Sequence, residues 1–159
     1  MPRGFFSRLF GAGKMPAAIK SELSGDRVLY ETEGIRVTLR RSGRVPGAIV
    51  KGGVSAGFGA FAVTDRRVIG SRGKGKWVDV PYDVASSDGS ATLTLDGSGL
   101  HVVLDLDRVH PSCSGTMRID YREQLSDAEL APFPHREMSF GVDPQKVVRL
   151  FGSLKKLPD

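Results

Sequence analysis

Residues 59 to 70 read GAFAVTDRRVIG: an apolar run from Ala60 to Val63, a charged interruption at Asp65, Arg66 and Arg67, and a second apolar pair at Val68 and Ile69. Two readings compete for the interruption. Asp65 and the arginines suit a catalytic pair, and Thr64-Asp65-Arg66 suits a tight turn between two strands. No histidine or second carboxylate lies nearby in sequence to complete a site, whereas an aspartate at a turn accepts backbone N–H bonds and stabilises the reversal. The turn reading is adopted. Phe58 to Val63 and Arg67 to Ser71 then become the arms of a β-hairpin.

The two-residue period of that hairpin extends to both sides. Upstream, Ile35, Val37 and Leu39 share one face and Arg36, Thr38 and Arg40 the other, the mark of a strand with one wet side. Val28 to Glu33 leads into it at Gly34. Arg41 to Gly47 is expected as loop from its glycines and proline, and the glycine-rich stretch 48 to 57 as an irregular or bulged strand. Downstream, a basic turn at Ser71 to Lys76 precedes a strand from Trp77 to Tyr82. The turn dipeptides Asp88-Gly89 and Asp96-Gly97 bracket Ala91 to Leu95. Leu100, Val102, Leu104 and Leu106 alternate with His101, Val103, Asp105 and Asp107, and Met117, Ile119 and Tyr121 alternate with Arg118, Asp120 and Arg122. About seven short strands at this spacing predict an antiparallel barrel or sandwich.

The ends of the chain read as helical. Phe5, Phe6, Leu9 and Phe10 fall on one face of a basic segment that Gly11 and Gly13 stop, and a second short helix runs from Pro16 through Leu23 to Gly25. The chain therefore divides into an N-terminal amphipathic segment, 1–25, and a barrel, 26–159. Ser126-Asp-Ala-Glu129 has the form of a capping box, before Pro132 and Pro134 impose an irregular path. The last element is a helix at 143 to 154, with Asp143 as N-cap, Pro144 in the first turn, and an apolar stripe of Val147, Leu150, Phe151 and Leu154.

The hairpin Phe61-Ala-Val-Thr-Asp-Arg-Arg-Val-Ile69, the later Trp77-Val-Asp-Val-Pro-Tyr-Asp83 and the closing amphipathic helix together resemble the bacterial pleckstrin-homology-like (PH-like) domains. The resemblance covers roughly residues 20 to 155 and rests on turn and packing motifs. It implies a PH-like β-barrel capped by its C-terminal helix, with 47 to 59 and 123 to 142 as insertions. It also implies a binding or assembly module, since some members form homo-oligomers.

Composition narrows the function. The chain has 159 residues, a net charge of +5 and one cysteine, Cys113, so no intrachain disulfide can form and a cytoplasmic setting is expected. No apolar run approaches the ~20 residues that cross a bilayer. Neither a Walker A loop nor a Gly-x-Ser-x-Gly elbow occurs, His101, His110 and His135 are scattered, and His101 falls on the polar face of its strand. Cys113 beside His110 lacks an orienting third group. No catalytic residue, metal or cofactor is expected, and a flavin-binding small barrel has no fingerprint in its favour.

Charge remains. Arg36, Arg40, Arg41, Arg44 and Lys51 cluster around one strand and its loop, and Arg72, Lys74 and Lys76 occupy another turn. At one end of a barrel they would form a rim for anionic groups. The expected function is a non-catalytic module for self-association or protein binding, through the N-terminal helix and an exposed strand edge. The alternative is a peripheral-membrane module, with the rim on anionic headgroups and Phe5, Phe6, Leu9 and Phe10 inserted at the interface. Nucleic acid is not an expected partner, because aromatics are not interleaved with basic residues on one sheet face.

Overall fold

The computed structural model describes residues 13–84 and 89–157. Phe5, Phe6, Leu9 and Phe10, and Asp88 of the expected turn, lie outside the described residues. Eight strands form one antiparallel sheet: β1 Val28–Val45, β2 Ala48–Thr64, β3 Arg67–Arg72, β4 Gly75–Pro81, β5 Ala91–Asp96, β6 Gly99–Asp105, β7 Ser114–Arg122 and β8 Glu137–Phe140. Short helices α1 Ala17–Glu22, α2 Leu106–Val109, α3 Asp127–Leu130 and α4 Pro144–Leu150 punctuate it. The strand order is β4-β3-β2-β1-β7-β6-β5-β8.

Alternation along each strand decides which side faces in. Ile35, Val37 and Leu39 of β1, Leu93 and Leu95 of β5, Leu100, Val102 and Leu104 of β6, and Met117, Ile119 and Tyr121 of β7 all join one buried cluster. The sheet curls into a half-barrel around that cluster. Phe61 of β2 meets Tyr121 of β7 ring to ring at 5.9 Å, and inner residues of β4, β6 and β7 line one cavity although β4 stands at the far edge.

The opening stretch is buried on both faces. Phe61, Val63 and Val68 point into the half-barrel, while Ala60, Ala62 and Ile69 form a second cluster outside it with Met15, Ile19 and Leu23. Helix α1 thus lies on the outer face of β2 and β3, where two alanines leave room for it. A six-residue helix cannot hold itself together in water and needs such a surface. Ion pairs fasten its end: Lys76 bridges Glu22 at 2.9 Å and Asp79 at 3.0 Å, and Arg67 reaches Asp26 at 3.3 Å.

The turn takes the form expected of it, with more partners than a hairpin needs. Thr64 Oγ1 accepts N–H bonds from Arg66 and Arg67, both at 3.0 Å, and donates to Asp26 at 3.0 Å. Asp65 accepts from the backbone N–H of Arg27 at 2.9 Å, so it fixes the start of β1 and not its own loop. Tyr82, of the Pro-Tyr motif, donates its hydroxyl to the Thr64 carbonyl at 2.7 Å. Burial, and then the carboxylates of Asp65 and Asp26, push its phenol up to about 12.

Several boundaries differ from expectation. Residues 41 to 45 are strand: β1 runs 18 residues, and Arg41 to Arg44 pair with β7 on one side while Arg41, Gly43 and Arg44 pair with β2 on the other. Strand β6 stops at Asp105, whose side chain accepts the N–H of Asp107 and starts α2 at Leu106. The capping box at Ser126 and Glu129 is present in full, but the segment after it contains β8, which pairs with β5. The C-terminal helix ends at Leu150, and Leu154 is 93% exposed. Asp143 is its N-cap, accepting from Gln145, and Val147 and Val148 are its buried residues. Among the described residues no helix is long and apolar enough to cross a membrane.

Candidate interaction face

Strand β2 is much longer than its neighbour β3. Its register with β1 runs from Ala48 to Thr64, whereas β3 pairs only with Gly59 to Val63. Arg72 at the end of β3 covers a little more, donating to Ser55 Oγ at 2.8 Å and to the Ala56 carbonyl at 3.1 Å. The Phe58 carbonyl accepts from Gly73. Carbonyls of Ala56 and Phe58 therefore point away from β1, and by the two-residue period so do the N–H and C=O of Val54. From Ala48 to Val54 the strand offers one edge with no strand beside it among the described residues.

The side chains next to that edge are apolar and in water. Ile49 is 61% exposed, Val54 64% and Phe58 44%. Lys51 is the one charged residue between Ala48 and Phe58. Edge strands are usually blunted by more charge than this, because an open row of N–H and C=O groups templates pairing with another chain. A left-handed Gly52 (φ 64°) near the register shift gives the edge a local irregularity instead.

The basic residues singled out from sequence do not gather into one rim. Arg36 and Arg40 are exposed on the outer face of β1, and Arg44 is exposed farther along the strand. Arg41 turns toward α4, donating to the Leu150 carbonyl at 2.7 Å with its guanidinium 5.9 Å from the Phe151 ring. Arg72 lies over Trp77 at 4.7 Å. Lys76 belongs to the ion cluster under α1, and hydrogen bonding to Glu22 is the first cause that holds its ammonium above the usual lysine range. Lys51 and Lys74 are exposed. Lys74 stands in the β3–β4 turn, which sits level with Phe58, and Lys51 lies seven residues farther along β2, roughly 23 Å at ~3.3 Å per residue.

Across the outer face of β5, β6, β7 and β1 runs a polar row that the sequence does not announce. His101 Nδ1 lies 2.6 Å from Asp120, and His101 Nε2 lies 2.8 Å from Ser98 Oγ. Arg118 Nε donates to both Asp120 oxygens at 2.9 Å, and Arg40 adds a bond at 3.2 Å. The order Ser-His-Asp invites a nucleophile reading, yet Ser98 Oγ has a closer acceptor in Asp96 at 2.5 Å. Its single proton is directed there, and the row works as a structural ladder. His101 lies on the predicted polar face, but with a side chain only 13% exposed.

Burial raises the Asp120 carboxyl, but hydrogen bonds and charge from Arg118 and His101 outweigh it, and the net direction is downward. A carboxylate with a depressed folded pKa adds stability above its unfolded value, about 3.9, and loses it as pH falls through the folded one. Asp120→Asn should therefore lower stability by about 2 kcal/mol at pH 7, the scale of charged hydrogen bonds. The deficit should shrink below about pH 4. Chemical denaturation at pH 7 and pH 3 checks both, and an equal deficit at the two values would remove Asp120 from the ladder.

The other nucleophile candidate is no closer to working. Cys113 is buried, and burial pushes its thiol up. His110 Nδ1 accepts from the Ser112 N–H at 3.0 Å, so that nitrogen is already engaged away from the sulfur. Among the described residues no three His, Cys, Asp or Glu side chains are placed to hold a metal ion.

Hollows among the described residues include an open one beside the β1–β2 turn, lined by Arg44, Pro46, Ile49 and Ser112 among others, and one of about 220 Å³ where β4 faces α4 across the mouth of the half-barrel. Val78, Val80, Val102 and Phe140 contribute to its walls, with Trp77, Asp79, Asp143 and Lys146 also lining it. No family model, curated protein or solved structure matches the chain.

Proposed function

We propose that the chain is a non-catalytic interaction module of the PH-like type, working in the cytoplasm and associating with a second copy of itself through the open edge of β2. The observation that carries this is the run from Ala48 to Val54, with one edge that no strand of the described residues pairs and with exposed Ile49 and Val54 beside it. Two such edges brought together antiparallel make a twofold, self-complementary contact. Each supplies the N–H and C=O groups that the other lacks, and apolar side chains of both copies meet on the outer face.

The PH-like assignment draws support from the antiparallel half-barrel followed by α4, whose Val147 and Val148 are buried. It also draws support from the meeting of the Thr-Asp-Arg-Arg turn with the Pro-Tyr motif through Tyr82 and Thr64. On this reading α4 is the cap of the barrel. The single cysteine, which permits no intrachain disulfide, favours the cytoplasm.

Light scattering on the eluting protein, across a hundredfold range of concentration, tests self-association. The expected mass is two chains at the upper end, and Val54→Lys should give one chain that melts where the native protein melts at the dilute end, since Val54 is exposed. A native protein that stays at one chain throughout would defeat the proposal. The second reading, an anionic membrane surface, is favoured by Arg36, Arg40 and Arg44 standing exposed in the strand that pairs with Ile49 and Val54. Salt-sensitive sedimentation of the one-chain protein with anionic vesicles would move it to first place.

A further inference from the structure

We infer that the outer face of β1 and β7 binds the phosphate backbone of a single-stranded nucleic acid, a function that does not depend on self-association. Away from the core, β1 presents Arg36, Thr38, Arg40, Ser42 and Arg44, alternating with buried Val37, Leu39 and Val45. Strand β7 presents Ser114, Thr116, Arg118, Asp120 and Arg122, alternating with buried Met117, Ile119 and Tyr121. The register sets Thr38 opposite Asp120, Arg40 opposite Arg118, Ser42 opposite Thr116 and Arg44 opposite Ser114. Apart from one aspartate, every side chain on this part of the face is an arginine or carries a hydroxyl. Those are the side chains that hold phosphate and sugar oxygens.

The arginines are set against one another. Arg122 follows Tyr121, the partner of Val37, and so stands beside Arg36. Like charges directly opposite in a sheet cost stability. Asp120 answers one such pair, accepting from Arg118 and Arg40. Arg36, Arg44 and Arg122 are exposed and form no ion pair or hydrogen bond among the described residues. A carboxylate keeps its charge whatever bonds it accepts, so all of them count. On these stretches of β1 and β7 five arginines meet one carboxylate, Asp120, and with Asp96 and Asp105 at the two ends of the neighbouring β6 they meet three. On the other side, β2 contains no carboxylate from Ala48 to Thr64. The excess is positive on either count. Toward α1 the strand carries Glu31 and Glu33, and the basic track ends at Arg36.

Shape selects the kind of polyanion. Arg36, Arg40 and Arg44 recur every four residues, about 13 Å at ~3.3 Å per residue, and the β7 column runs ~5 Å to the side, so the cations form a narrow line. The sheet curls around its core, which makes this face convex. A bilayer meets a convex face along a strip, and these two strands offer it no apolar side chain to insert. Sheet twist carries the line around the barrel. A flexible single strand follows such a line, whereas a duplex, with a persistence length of about 50 nm, resists bending to it. Guanidinium groups hold each phosphate through paired N–H donors. One aromatic adjoins the track: Phe58, 44% exposed and opposite Arg36, where a base can stack. Backbone binding needs no further interleaved aromatics, and it is tolerant of base sequence.

The test follows the fluorescence anisotropy of a labelled strand of twenty deoxythymidines titrated with the full chain. Saturable binding is expected at 50 mM salt, weakening about fiftyfold at 200 mM, the loss for about four phosphates neutralised on a single strand. Arg36→Gln together with Arg122→Gln should weaken binding about tenfold or more and make the salt dependence shallower. The melting temperature should not fall, since both residues are exposed and unpaired among the described residues. Lys74→Gln removes an exposed charge from the β3–β4 turn and should change affinity by less than about twofold. No saturable binding at 50 mM salt overturns the site. Affinity unmoved in the double variant, or lowered as much per charge by Lys74→Gln, overturns the placement on β1 and β7. A duplex of the same length held more tightly, polyglutamate displacing the strand at equal charge, or phosphatidylserine vesicles bound where the strand is not, would each give the face to another partner and overturn the proposal.

Discussion

Phe61→Ala should lose about 3–5 kcal/mol of unfolding free energy, the largest effect of any single truncation in the opening stretch. Phe61 is fully buried, and its ring meets Tyr30 at 5.7 Å and Tyr121 at 5.9 Å. Little can move to fill the space. Its cross-strand partners are Thr32 and Gly70, fixed by the ladders on both sides of β2. Gly70 has no side chain to offer, because a Cβ there would stand 2.8 Å from the Tyr121 hydroxyl. Tyr121 in turn is held under that glycine with its hydroxyl buried and without a hydrogen-bond partner among the described residues. A loss of this size is a large part of the 5–15 kcal/mol that typically separates folded from unfolded domains. Phe58→Ala, three residues earlier and 44% exposed, should cost under about 1 kcal/mol. Urea denaturation of the two variants compares them directly; equal midpoints would show that Phe61 does not face the core.

That contrast between Phe58 and Phe61 was partly legible in the chain, and the limits of legibility have a physical cause. Where alternate residues differ in polarity, as at Ile35 to Arg40 or Met117 to Arg122, the period gives the strand and its buried face. Where glycine carries the pattern it does not. Gly43 lies in the stretch expected as loop, yet it stands opposite Gly115 in the β1–β7 ladder, and a Cβ on Gly43 would come within 2.1 Å of the Ser114 carbonyl oxygen. They are glycines of close approach in a strand, which composition cannot distinguish from glycines of a turn. Strand β8 escaped for a different reason. It has four residues and follows two prolines, so its identity comes from pairing with β5 and not from its own sequence.

The site was less legible than the fold, because charge was visible and its partners were not. Arg41 is committed to a carbonyl 109 residues away, and Lys76 to a glutamate 54 residues away. A count of neighbouring cations treats both as available. The reverse holds for Asp120 and His101, which lie 19 residues apart and meet because the β6–β7 register sets them opposite each other. The open edge of β2 had only a weak signal, a glycine-rich stretch with a single lysine. Its importance follows from β3 being much shorter than the strand it accompanies.

Thr64→Val should cost about 2–4 kcal/mol, more than Asp65→Ala at about 1 kcal/mol, and the order of the two is the informative part. Valine matches threonine in shape, so the change removes one oxygen. That oxygen accepts two backbone N–H groups and donates to Asp26, and Thr64 is fully buried. Water cannot replace it easily at a position with no exposure, and donors left without acceptors cost about 1–3 kcal/mol each. Asp65 is exposed, and the N–H of Arg27 that it holds also lies at the surface. Water takes over much of that bond when the carboxylate is removed. A catalytic reading of the same tripeptide predicts the opposite order, with Asp65 indispensable to function and Thr64 a spacer. Thermal or urea unfolding of the two variants separates the readings. If Asp65→Ala proved the more damaging, the charged centre of GAFAVTDRRVIG would have to be explained by something other than the turn. If Thr64→Val does, the sequence carries its charge there because an exposed reversal between two buried strands is where charge can stay in water, while the buried threonine beside it holds the reversal closed.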